Sequence, residues 1–150
     1  MHKPIIRWFT CATVLACAFP VFAGGFFLIT GNPEASPKAR SANAVLTIKA
    51  VGCGNPNDAS VSATAIGTVN GHRQTIPLKL VRLDEPGMFA VAQQWPAEGR
   101  WVLQFVGTDH DRVTHTLVPA GPNGINRNAS RQAMRAPAET DIAALLDAGK

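Results

Sequence analysis

Cysteine is scarce in this 150-residue chain: there are three, and two of them, Cys11 and Cys17, fall within the first 23 positions. Cys53 stands alone in the remainder. A single thiol closes no internal disulfide and cannot run a thioredoxin-type dithiol exchange within one chain. Between Gly52 and Gly54 it reads as a small residue beside a tight turn, with a reactive thiol or an intermolecular bridge as the alternatives. Charge is also sparse, at 16% Asp, Glu, Lys and Arg. The formal net charge is +4, and setting aside Lys3 and Arg7 at the extreme N-terminus leaves +2. That is too weak a field for a nucleic-acid partner, which is excluded. Signatures of catalysis are missing as well: no phosphate-cradling Gly loop, no Gly-x-Ser-x-Gly elbow and no His-Glu-x-x-His pair. No segment repeats at a fixed period. The expectation is one domain without enzymatic activity, too short for a cofactor domain plus a substrate domain.

What is present begins with an export signature. Lys3 and Arg7 precede an apolar stretch from Trp8 to Phe19, Pro20 breaks it, and Val21-Phe22-Ala23 matches a signal-peptidase site. Cleavage after Ala23 removes residues 1–23. Alternatively, Gly24-Gly25-Phe26-Phe27-Leu28-Ile29 extends the apolar run to residues 8–29, long enough to cross a bilayer as an uncleaved anchor. Both readings place the rest of the chain outside the cytoplasm, periplasmic or secreted, with membrane association possible through residues 8–29. Residues 24–43, rich in Pro, Ser, Ala and Gly, read as a linker.

From Ala44 the pattern becomes short β-rich runs separated by turn residues. Strands are predicted over 44–51, 61–69, 72–83, 88–95, 100–106 and 112–118. Asn70-Gly71 is a strong hairpin signal, and Pro77 confines its strand to an edge or a bulge. Trp101, Leu103 and Phe105 share one face, as do Val113, His115 and Leu117. The fold class is therefore all-β, an Ig-like β-sandwich of six or seven strands spanning residues 44–120. Residues 121–150 form a tail in which Arg127, Arg131 and Arg135 read as a solvated connector. A short helix follows over 138–148, with Glu139 and Asp141 in its first turn and Ile142, Leu145 and Leu146 on the face that packs against the sandwich.

Histidines carry what site chemistry there is. Asp109, His110 and His115, with His72 as a further donor, offer oxygen and nitrogen ligands suited to copper or zinc. The competing assignment gives Asp109 and Asp111 to turn chemistry, leaves His110 solvated and makes His115 a satisfied core histidine.

The stretch Pro86-Gly87-Met88-Phe89-Ala90-Val91, followed by Trp95-Pro96-Ala97-Glu98-Gly99-Arg100-Trp101-Val102-Leu103, resembles the second half of small exported Ig-like sandwiches of the FixH-like type. That resemblance implies an N-terminal membrane segment, one extracytoplasmic sandwich and a link to membrane-bound metal or redox assembly. The run Thr108-Asp109-His110-Asp111 is similar to the Asp-Gly-His turn of CopC-like copper-resistance proteins, with Asp and His adjacent here. It implies copper binding around His110. The function expected is that of an exported binding or envelope-assembly module with a protein partner in the cell envelope; the alternative is a periplasmic copper- or zinc-binding protein.

Overall fold

A computed structural model describes residues 25–52 and 54–148. The export segment at 1–23, the Cys53 thiol and the helix stop at Gly149 lie outside the described residues. Ten strands form two antiparallel sheets: β1 (Phe27–Gly31), β2 (Ala44–Val51), β6 (Met88–Ala92) and β5 (Leu80–Arg82) in the order β1-β2-β6-β5, and a second in the order β10-β8-β7-β3-β4. The second comprises β3 (Ser60–Val69), β4 (His72–Leu78), β7 (Arg100–Asp109), β8 (Arg112–Gly121) and β10 (Arg131–Ala133), with the two-residue β9 (Gly124–Ile125) also on β8. The arrangement 1-2-6-5 facing 8-7-3-4 is the immunoglobulin strand order, so the predicted fold class holds, with more strands than expected.

The inner face owes its packing to a size complementarity between two neighbouring strands. Trp101, Leu103 and Phe105 on β7 are fully buried, and directly opposite them on β3 stand Gly67, Ala65 and Ala63. A Cβ at Gly67 would overlap the Trp101 ring, so the indole lies flat across bare backbone while its Nε1 donates to the Glu98 carbonyl at 2.9 Å. Gly107 plays the same part for β1, since a Cβ there would come within 2.9 Å of Phe26 and Leu28. Leu46, Ile48, Ala50 and Val91 close the core from the opposite sheet.

Several boundaries differ from the sequence expectation. The single return strand over 72–83 divides at Lys79, where the chain leaves one sheet for the other. Gln94 holds this crossover: its Oε1 accepts the Lys79 N–H at 2.8 Å and its Nε2 donates to the Lys79 carbonyl at 3.0 Å. Pro77 sits on the sheet-edge strand β4, as expected. Within the expected linker, residues 25–43 are structured. β1 pairs with β2 from Phe27↔Val51 to Gly31↔Thr47, burying Leu28 completely, so Phe26 to Ile29 belong to the sandwich. A 3-10 turn at Pro33–Ala35 and the helix α1 (Pro37–Ser41) follow, their first turns capped by the Asn32 and Ser36 side chains with Pro in the first turn. Ala39 packs there against Leu83 and Ala90 on the outer face of the first sheet.

Beyond residue 120, β9 and β10 extend the edge at β8, and α2 (Glu139–Asp147) lays Ile142, Leu145 and Leu146 on Ile66, Val102 and Leu117. Arg73–Glu139 at 2.6 Å and Arg100–Asp147 at 3.7 Å flank that contact. The molecule is thus a sandwich with a short helix on each outer face. Gly67→Ala is expected to destabilise it by about 1–3 kcal/mol through overpacking against Trp101. Urea unfolding of the two proteins measures this, and equal midpoints would show that the indole is not tightly seated.

Candidate functional site

The two ends of the sandwich differ in chemistry. At one end the β7–β8 hairpin joins Asp109 to Arg112 through His110 and Asp111, and His110 takes a left-handed backbone conformation at φ +56°. A side chain is unfavourable there unless something holds it. Asp109 does so, with Oδ1 2.8 Å from His110 Nδ1. Asp109 follows the inward parity of Trp101, Leu103 and Phe105 along β7, and its side chain is 8% exposed against 75% for His110. A carboxylate this deep needs a partner, and the imidazole supplies one. Gly54 lies beside it, where a Cβ would sit 3.4 Å from Asp109 Oδ2.

His115 does not join this pair. It lies three residues beyond Arg112 on β8, about 10 Å along the strand. It shares the outer face with Leu117, which packs under α2, while Asp109 points between the sheets. His72 opens β4 next to Val69, whereas Asp109 closes β7 at the far end of the sandwich. The structure therefore brings together Asp109 and His110 and leaves His115 and His72 apart. Among the described residues no group of three or more His, Cys, Asp or Glu converges as a metal would need. His115 is buried, its Nδ1 has no hydrogen-bond partner among the described residues, and burial lowers its pKa below the ordinary 6.5 by penalising the charged ring.

The opposite end holds an open cleft of about 420 Å³ between the mouths of the two sheets. One wall is the 3-10 turn with Asn32 and Glu34, together with Arg40 from α1 and the start of β2 at Ala44 and Val45. The other is the β8–β9 hairpin with Ile125, and Arg127 on a second 3-10 turn at Arg127–Ala129. Gln93 and Trp95, after β6, form the floor. The two turns are built alike, each with an asparagine whose Oδ1 accepts a backbone N–H: Asn32 from Glu34 and Asn126 from Ala129. Arg40 is steadied by donating Nη1 to the Glu34 carbonyl. Across the same hairpin a second groove of about 150 Å³ runs between Pro119 and the Leu145–Leu146 end of α2.

Of the cleft residues, the sequence marked Arg127 as part of a solvated connector and Trp95 within the stretch before β7, and none as a site residue. Arg40 and Arg127 come from opposite ends of the chain, and only the register of β1, β2 and β8 brings them to one opening. The nearest local signal was the pair Asn32-Pro33 and Ser36-Pro37, which start the turn and the helix that carry Glu34 and Arg40.

Burial of a neutral His115 sets a pH dependence. Its folded pKa is lowered, so the unfolded chain takes up a proton first, and stability is lost as pH falls below about 6.5. Asp141 titrates lower: its carboxylate accepts the Ala138 N–H at 2.9 Å and faces Arg135 at 3.2 Å, which hold its pKa below the ordinary 3.8. Its contribution is therefore lost only as pH falls below that value. Thermal melts between pH 7.5 and 5 should show a decline that His115→Gln flattens; an unchanged slope would dismiss His115 as the cause. No family model, no curated protein and no solved structure matches this chain, so the likeness to FixH-like and CopC-like proteins rests on the residues quoted for it.

Proposed function

We propose that this chain is an exported binding module of the cell envelope, without catalytic activity, and that its binding end is the cleft between Arg40, Trp95 and Arg127. The observation that carries this reading is the cleft itself. At about 420 Å³ it falls within the size range of small-ligand sites, and it combines charged groups with an apolar floor. It is framed by hydrogen-bonded turns on a rigid sandwich, the arrangement in which loops commonly bind.

Export is supported by the sequence ahead of β1: Lys3 and Arg7, the apolar run and Val21-Phe22-Ala23. Phe27 and Ile29 follow directly and are 43% and 52% exposed, large apolar side chains suited to a nearby membrane surface. Among the described residues no helix is long and apolar enough to cross a membrane.

Isotope-labelled protein titrated with a concentrated extract of periplasmic small molecules is expected to show saturable amide shifts at residues 93–95 and 120–127. Shifts confined to residues 52–59 and 109–112 would move the binding end to the other pole and overturn the proposal.

A second reading, copper or zinc binding, is favoured by one observation. With Nδ1–H given to Asp109, His110 leaves Nε2 on an exposed ring as an oriented donor. Copper should then be retained against a competing chelator and released on His110→Ala, and retention by that variant would remove His110 from the site.

A further inference from the structure

The geometry points to a carboxylate as the group the cleft receives, carried by a small organic monoanion with an apolar portion. This inference rests on the cleft being the binding end. Arg40 from α1 and Arg127 from the 3-10 turn at Arg127–Ala129 line the opening, and among the described residues Glu34 is its one acidic side chain. Among the described residues neither Arg127 nor Glu34 takes part in an ion pair within 4 Å. Arg40 uses Nη1 on the Glu34 backbone carbonyl, which fixes the guanidinium and leaves donors on its other nitrogens.

A guanidinium presents a planar fork of N–H donors that matches a carboxylate or a phosphate with two parallel bonds. Charge then chooses between them. Two arginines and one glutamate leave a single positive charge, which a monoanion neutralises. A phosphate dianion would bring a net negative charge into an opening that already contains Glu34. The rest of the lining fits an organic acid: Val45, Trp95 and Ile125 offer apolar surface, and the Gln93 amide, which gives Nε2 to the Trp95 carbonyl at 3.2 Å, keeps Oε1 as an acceptor. A ligand combining a carboxylate, a hydrogen-bond donor and an apolar group satisfies every part of the cleft.

Hippurate is a suitable probe, since it joins one carboxylate and an amide N–H to an aromatic ring; its neutral amide and inorganic phosphate are the controls. Each is titrated into the labelled full-length chain in neutral detergent, following the Trp95 indole and the amides of residues 93–95 and 124–127. Hippurate should give saturable shifts, with binding at least tenfold weaker for the neutral amide and at least tenfold weaker for Arg127→Gln. That substitution lies on an exposed side chain and leaves the core intact. Equal binding of hippurate and its amide at these residues overturns the carboxylate assignment while leaving the cleft as the binding end. Phosphate binding tighter than hippurate replaces carboxylate by phosphate. Shifts that map away from the cleft overturn the cleft and the carboxylate together.

Discussion

The packing of β7 against β3 is the constraint from which the other features follow. Three large side chains, Trp101, Leu103 and Phe105, stand beside three residues with little or no side chain, Gly67, Ala65 and Ala63. Opposed sizes let neighbouring strands keep a regular ladder while one of them fills most of the space between the sheets. Because β7 fills that space, the facing strands β2 and β6 add Leu46, Ile48, Ala50 and Val91, and Phe26 and Leu28 at the start of β1 rest over Gly107. Placement of β1 then determines where the chain turns at Asn32, and with it the wall of the cleft that bears Glu34 and Arg40.

A sandwich closed this way presents different chemistry at its poles. At the Asp109 pole a buried carboxylate is matched by one imidazole, a local arrangement that relieves the cost of its own burial. At the Arg127 pole a cleft opens, Arg40 is held by the Glu34 backbone carbonyl, and among the described residues Arg40, Glu34 and Arg127 form no ion pair with one another. Groups that are positioned but not mutually neutralised keep their capacity for a ligand. Two short helices lie on the outer faces, leaving the poles as the parts of the surface with concave polar character.

Legibility in the sequence followed the range of the interactions involved. The hairpin at Asn70-Gly71 was visible because its geometry belongs to two adjacent residues, with φ of +49° and +79°. The inward face of β7 and the apolar face of α2 were visible because periodicity is local. β5 was hidden inside a longer strand because its departure at Lys79 depends on Gln94, fifteen positions later. β1 was hidden because Phe26-Phe27-Leu28-Ile29 is equally good as the end of a membrane run and as a buried edge. Asn32-Pro33 and Ser36-Pro37 carry helix-start signals, yet their Pro- and Ser-rich neighbourhood has the composition of a linker. His115 stands apart from Asp109 and His110 for a reason parity already contained: His110 and His115 differ by an odd number of residues, and the hairpin tip does not bring them back to one face. Arg40 and Arg127 could not be paired from sequence, because their meeting is a property of tertiary closure.

One carbonyl, that of Leu28, ties the start of the sandwich to its end. The Leu28 carbonyl of β1 accepts from the Thr116 hydroxyl at 3.4 Å and from the Gln132 side chain, a partner 104 positions away. The first strand described is thus fastened by the last, and contacts of such long range close late in folding. β1 can pair with β2 as soon as that strand forms, but its Leu28 carbonyl gains the Gln132 side chain only once β10 is in place. The edge at β1 is therefore sealed against the second sheet by β8 and β10, and the last step of assembly is the one that closes it.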